Sequence, residues 1–234
     1  MLNYIFWEIS HRCNQRCRIC PLYGVNNKSE LCGELSTKEN MIILEKIAHC
    51  FPESPPKIKI SGGEPMMRKD IFTLLAYIEQ LGIPYGLMTN FSLLDGESVN
   101  KLLKRKPRFI NVSLDGDEVV HEKLRNASGS YQKTLANLTY YTKYCRDVSI
   151  ELNCVIQPEN LFILRHIVDV ASALGVKATF QHINFFSDEE CERQRQYDKK
   201  NFGEAYTHYI NRTNYFQSLE KILNIHDRLE DVLN

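Results

Sequence analysis

The chain lacks net charge: over 234 residues, 29 Lys and Arg balance 29 Asp and Glu. That balance argues against a strongly basic nucleic-acid groove and against a surface built for anionic membranes. Long apolar runs are also missing, every stretch falling far short of the roughly 20 residues that cross a bilayer. The N-terminal run from Met1 to Glu8 has neither the basic start nor the small-residue cleavage site of a signal peptide. No internal repeat, low-complexity tract or obvious linker is present. Together these absences predict a soluble cytoplasmic protein with no nucleic-acid or membrane partner. What is there is 43% apolar, enough for a sizeable core and too much for disorder. The length fits one domain with a short appendage.

Cysteine is not scarce, and its eight copies are unevenly placed. Cys13, Cys17 and Cys20 fall within eight residues, whereas Cys32, Cys50, Cys145, Cys154 and Cys191 are scattered. A disulfide framework would spread them more evenly, so the grouping points to a metal site in a reducing compartment. The single cysteines read as small buried hydrophobes. Three thiolates from one tight loop leave a coordination position open, which in a [4Fe–4S] cluster is an open iron.

Six strand-like runs alternate with helical patterns: Tyr4–Ile9, Lys57–Ser61, Pro84–Thr89, Arg108–Leu114, Val148–Ile156 and Val176–His182. A capping box at Ser36–Glu39 opens a helix with Ile43, Leu44, Ile47, Ala48 and Phe51 on one face. Further stripes are Ile71–Leu81, closed by Gly82, then Leu135, Leu138 and Tyr141, and Leu164–Leu174, closed by Gly175. Alternation with right-handed crossovers predicts an α/β fold, a partial (β/α)6 TIM-like barrel over residues 1–186. Residues 187–234 turn polar and then carry Phe216, Leu219, Ile222, Leu223, Leu229 and Val232, predicting a C-terminal helical appendage packed on the barrel.

The unusual polar motifs all follow strands: the cysteines after the first, Gly62-Gly63-Glu64-Pro65 after the second, Thr89-Asn90 after the third, Ser113-Leu114-Asp115-Gly116 after the fourth, Asn153 late in the fifth and His182-Ile183-Asn184 after the sixth. In parallel α/β barrels that rim binds ligands. Strand alternation then puts Glu8, Ser10, Asn111, Ser113, Asp115, Glu151 and Asn153 on the inner face and Ile110, Val112, Leu114, Leu152, Cys154 and Ile156 against helices. So polar an interior predicts a wet cavity, because unmet polar groups are costly to bury. On that assignment Cys154 is not a hydrogen-atom donor.

The spacing C-x3-C-x2-C followed by Ser61-Gly62-Gly63-Glu64-Pro65 resembles the radical S-adenosylmethionine (SAM) enzymes, over about residues 3–184. Ser113-Leu114-Asp115-Gly116, His121, Arg125 and Gly129-Ser130 are similar to the SPASM/twitch and molybdenum-cofactor branch of that superfamily. The resemblance implies that Cys13, Cys17 and Cys20 ligate a [4Fe–4S] cluster whose remaining iron binds SAM. It implies a 5′-deoxyadenosyl radical that abstracts hydrogen from a peptide or a small polar natural product. By position, Gly62, Gly63, Glu64 and Pro65 form the turn at the methionine amino group, with Asn90 in the third-strand motif. Ser113 meets ribose, Arg125 the methionine carboxylate, Asn153 ribose or methionine, and Ile183 lies near adenine. An external one-electron donor such as flavodoxin or ferredoxin is implied as a partner. Three departures stand out. Ile19 replaces a common aromatic, Phe91 follows Thr89-Asn90 where glycine is common, and only Cys191 lies beyond residue 184. The last predicts no auxiliary-cluster domain.

Two other readings of the cysteines are a zinc-binding interaction module using Cys13, Cys17, Cys20 and Cys32, and a simple electron carrier. A zinc module needs neither a barrel nor the glycine turn, and an electron carrier usually has four cysteines and a small chain. His11 reads as a loop residue rather than a fourth zinc ligand. Gln181 and His182 read as substrate contacts or rim packing. Glu151 and Asp115 read as polar-substrate or acid/base groups, or as partners of cavity water. Tyr197, Tyr206 and Tyr209 read as half-buried helix residues.

Overall fold

A computed structural model describes residues 2–17, 20, 34–157 and 159–182, together with Glu192 and Gln196. Ile19, Cys32, Ile183, Asn184, Cys191 and the expected C-terminal helices therefore lie outside the described residues.

Six parallel strands form one sheet in sequential order: β1 (Tyr4–Ser10), β2 (Lys57–Gly62), β3 (Tyr85–Thr89), β4 (Phe109–Ser113), β5 (Ser149–Ile156) and β6 (Lys177–His182). Each pairs in parallel with the next, and among the described residues the sheet is open between β1 and β6. The crossovers carry α1 (Thr37–Cys50), α2 (Ile71–Gln80), α3 (Gly96–Leu103), α4 (Glu118–Arg125), α5 (Ser130–Tyr144) and α6 (Leu164–Leu174). This is the partial TIM-like barrel that the alternating pattern predicts.

The helices cover one face. Ile58, Ile60, Leu87, Ile110, Val112, Leu152 and Cys154 are fully buried there, against Leu44, Leu74, Leu75, Ile78, Leu138 and Ile167. Each such aliphatic side chain stabilises the fold by about 1.5–3 kcal/mol relative to exposure. The other face keeps Tyr4, Phe6, Glu8, Lys59, Asn111, Ser113, Glu151, Asn153 and Thr179 exposed or half-buried. The inside and outside assignment therefore holds, and Cys154 is sealed beneath helices.

The sequence pattern does not single out α3 and α4. Both span eight residues and carry few apolar side chains; α3 buries only Val99 and Leu102, and α4 only His121 and Leu124. Their start signals are legible in retrospect: Asp95 caps Ser98 N–H and Asp117 caps Val120 N–H. The left-handed turns at Gly82 (φ +69°) and Gly175 (φ +65°) lie just beyond α2 and α6, where the pattern predicts breaks.

Candidate functional site

The cysteine loop leaves the end of β1, and the glycine turn leaves β2 beside it. Gly63 N–H donates to Ser10 O at 2.6 Å, and Glu64 N–H to Arg12 O at 2.7 Å. A Cβ at Gly62 would overlap the Ser10 carbonyl oxygen, and one at Gly63 the Arg12 carbonyl oxygen. The two glycines therefore let backbone approach backbone, here the strand that launches the cysteines, rather than a ligand alone. Gly62 also sits at φ +120°, a conformation that residues with a side chain rarely adopt.

Glu64 turns inward and is 1% exposed. Its Oε1 accepts from Thr89 Oγ1 at 2.7 Å and Met66 N–H at 3.0 Å, and its Oε2 from Asn90 N–H at 2.7 Å. Burial holds its carboxyl above the usual range, opposed by these donors. Pro65 opens the short 3₁₀ turn Pro65–Met67 that follows. The carboxylate thus locks the end of β2 to the end of β3. Arg68, which sequence reasoning missed, adds a second lock: it is buried, donates to Ile9 O at 2.9 Å and Leu35 O at 3.1 Å, and pairs with Asp70 at 2.8 Å.

Asn90 carries the lock into the loop. Its Nδ2 donates to Asn14 Oδ1 at 2.8 Å and lies 4.0 Å from Cys13 Sγ. Its Oδ1 accepts from Ser92 N–H and Oγ, while Asn14 Nδ2 donates to Ser92 Oγ. Phe91, where a glycine is common in the resembling enzymes, sits at φ +59°. Phe91 thus takes the left-handed conformation despite its side chain. Phe91 is fully buried, packs edge-on against Tyr141, donates N–H to Thr89 Oγ1 and accepts from Asn137 Nδ2.

On the other side of the loop, Arg125 O accepts Arg16 N–H at 3.1 Å, and Arg125 Nη1 lies 3.8 Å from Cys17 Sγ. Arg125 Nε is 2.6 Å from Asp115 Oδ2, an ion-pair contact whose N–H is off line for a hydrogen bond. Asp115 Oδ1 accepts Val155 N–H at 3.0 Å, and Asp115 N–H donates to His121 Nδ1 at 3.2 Å. Asp115 is 1% exposed. It therefore holds Arg125 instead of lining the cavity as its alternation predicts, because it lies past the end of β4, where the chain turns under α4. Burial, helped by the Arg125 charge, pushes His121 down to about 3 and keeps its imidazole neutral.

Among the described residues Cys13, Cys17 and Cys20 are in no disulfide, and Cys17 is buried. Burial pushes the Cys13 thiol up to about 11, against a hydrogen bond from Gln15 N–H; the charges of Glu64, Cys17 and Cys20 push in the same direction as burial. Among the described residues, no three His, Cys, Asp or Glu side chains are already arranged to hold a metal ion. Cys20 is bracketed by residues outside the described set, Arg18, Ile19 and 21–33. The donor set nonetheless fits an iron–sulfur cluster: three thiols from one loop within electrostatic reach, with N–H donors beside Cys13 and Cys17. Gln15 Nε2 and Asn153 Oδ1 are buried with no hydrogen-bond partner, so polar groups wait around the rim. Ser113 and Asn153 face each other across β4 and β5 on the half-buried inner face. Glu151 stays on that face, 3.5 Å from Thr179 Oγ1. No helix among the described residues is long and apolar enough to cross a membrane.

Comparison with known proteins places the fold and the sequence in one family. Residues 7–171 match the sequence profile of the Radical SAM superfamily. The AdoMet-dependent heme synthase of Methanosarcina barkeri is 31% identical over 175 residues, covering 74% of this chain and 48% of that protein. The PqqA peptide cyclase of Rhodopseudomonas palustris is 28% identical over 174 residues, covering 73% of this chain and 44% of that protein. The crystal structure of Streptococcus suis SuiB bound to S-adenosylmethionine superposes with a TM-score of 0.63 at 20% identity, covering 88% of this chain and 49% of that one. The chain thus spans about half the length of the curated relatives it matches.

Proposed function

The chain belongs to the radical SAM superfamily, whose enzymes use a [4Fe–4S] cluster and SAM, and from that premise we propose that Cys13, Cys17 and Cys20 ligate the cluster and leave one iron for SAM. When bound, the pair supplies a 5′-deoxyadenosyl radical that abstracts hydrogen from an unactivated carbon. The chain's own residues position it. The Gly62–Pro65 turn and Asn90 hold the cysteine loop at the rim. Arg125 presents a guanidinium beside Cys17, within reach of a methionine carboxylate, and Ser113 and Asn153 offer polar atoms to ribose. Ile183 is assigned to the adenine side. The observation that carries this reading is the joining of three segments distant in sequence, the cysteine loop, the glycine turn and Asn90, by short hydrogen bonds at one rim.

The substrate is a peptide or a small polar natural product. The peptide named for the PqqA cyclase, and the precursor peptide bound to SuiB in another of its structures, support the peptide side. The enzyme acts in the cytoplasm with an external one-electron donor such as flavodoxin or ferredoxin.

The test is anaerobic reconstitution with iron and sulfide, followed by dithionite and SAM. Formation of 5′-deoxyadenosine that Cys17→Ala abolishes is expected. No 5′-deoxyadenosine, with stoichiometric zinc in aerobically purified protein, would establish the zinc-binding module instead.

A further inference from the structure

Lys59 lies on the bore side of β2, half-buried, on one rung with Phe6 of β1, Gly86 of β3 and Phe109 of β4. Its Nζ is 4.5 Å from the Tyr4 ring centroid, 4.9 Å from that of Phe6 and 6.0 Å from that of Phe109. The Phe109 ring crosses β3 so closely that a Cβ at Gly86 would overlap it. The rung is thus built: glycine admits the ring, and the rings carry the ammonium.

Aromatic faces lower the cost of drawing an ammonium out of water but supply no negative charge. Glu8 and Glu151 share this face of the sheet, yet among the described residues no carboxylate lies within 4.0 Å of Lys59. Tyr4 and Phe6 remain 45% and 65% exposed, so the floor is open to a ligand. One rung nearer the rim, Asn111 Oδ1 is buried without a hydrogen-bond partner. Among the described residues, a cation with no carboxylate in range, an unmet acceptor and an open aromatic floor thus share one face of the sheet.

We propose that Lys59 anchors a carboxylate of the substrate and that Asn111 accepts an N–H or O–H of the same molecule. This deepens the radical SAM reading and rests on it. At about 3.3 Å per residue, Lys59 stands roughly 10 Å below the Gly62 turn, so the carboxylate lies several bonds from the carbon attacked at the rim. Asn111 lies about 7 Å nearer the rim than the Lys59 rung. The substrate is an acid with an apolar portion that rests on Phe6 and Phe109.

The probes are 3-phenylpropionate and its neutral isostere 3-phenylpropanamide, titrated calorimetrically into the reconstituted full chain. The acid is expected to bind wild type and Lys59→Arg alike and Lys59→Met at least tenfold more weakly, while the amide does not distinguish the three. Phe6→Ala, at an exposed position, should weaken acid and amide together. Equal binding of the acid by wild type and Lys59→Met, or no binding of the acid by wild type, overturns the assignment. The two readings fail separately: wild type that forms 5′-deoxyadenosine but shows no Lys59 preference sinks only the anchor. Acid binding through Lys59 without 5′-deoxyadenosine sinks only the radical SAM chemistry.

Discussion

The buried carboxylate of Glu64 accepts the backbone N–H of Asn90 at 2.7 Å, joining the end of β2 to the end of β3. Its other oxygen takes Thr89 Oγ1 and Met66 N–H. In Glu64→Gln the amide NH₂ must face at least one of these donors. A loss of about 1–3 kcal/mol of stability is expected, the cost of leaving a buried donor unmet. Urea denaturation of the metal-free protein measures it without reference to catalysis.

Gly63→Ala places a Cβ on the Arg12 carbonyl oxygen and forces β1's exit away from the turn. Gly96, at the start of α3, has open space around it and no positive φ. Gly63→Ala should lower the melting temperature and Gly96→Ala should hold or raise it, the latter gaining about 0.4–1 kcal/mol from a stiffer unfolded chain. Equal effects would show that the close approach of the two backbones is not what the glycine serves.

Phe91→Gly should leave the protein more stable than Phe91→Ala. Both lose the packing of the ring on Tyr141, but only alanine keeps the cost of φ +59°. The expected gap is about 1 kcal/mol in favour of glycine, the reverse of the usual order. Paired chemical denaturation curves decide it.

Much of this architecture is legible before any coordinates. The six strands and the buried helix stripes follow from alternation and period alone, since Ile58, Ile60, Ile110, Val112, Leu152 and Cys154 all lie on one side of the sheet. The rim follows too, since each polar motif sits where a strand ends. The partners of the rim residues are not legible. Glu64 and Asn90 are 26 residues apart, and nothing local links them. Asp115 reads as a cavity acid by alternation, but its role is set by Arg125 on a short helix with few apolar residues. The roles of Arg68, Asn14 and Ser92 depend likewise on contacts between loops.

His121 gives the fold a pH dependence. An unfolded histidine titrates near 6.5, whereas burial and the Arg125 charge push this one down to about 3. Between those values the unfolded chain binds a proton that the folded chain refuses, so this contribution is intact above pH 6.5 and is lost as pH falls toward 3. His121→Asn keeps an acceptor for Asp115 N–H and removes the proton site. Its stability loss between pH 7 and 5 should be smaller than that of wild type by about 2 kcal/mol. Parallel curves for the two proteins would contradict a buried neutral imidazole.

The central claim is a cluster held by Cys13, Cys17 and Cys20 with one iron free to bind SAM. Electron paramagnetic resonance of the reconstituted, dithionite-reduced protein, recorded with and without SAM, tests it most directly. The account predicts a [4Fe–4S]⁺ signal whose g-values shift when SAM is added and which is absent from Cys13→Ala, Cys17→Ala and Cys20→Ala. A signal that SAM leaves unchanged, or one that survives loss of any of these cysteines, would contradict it.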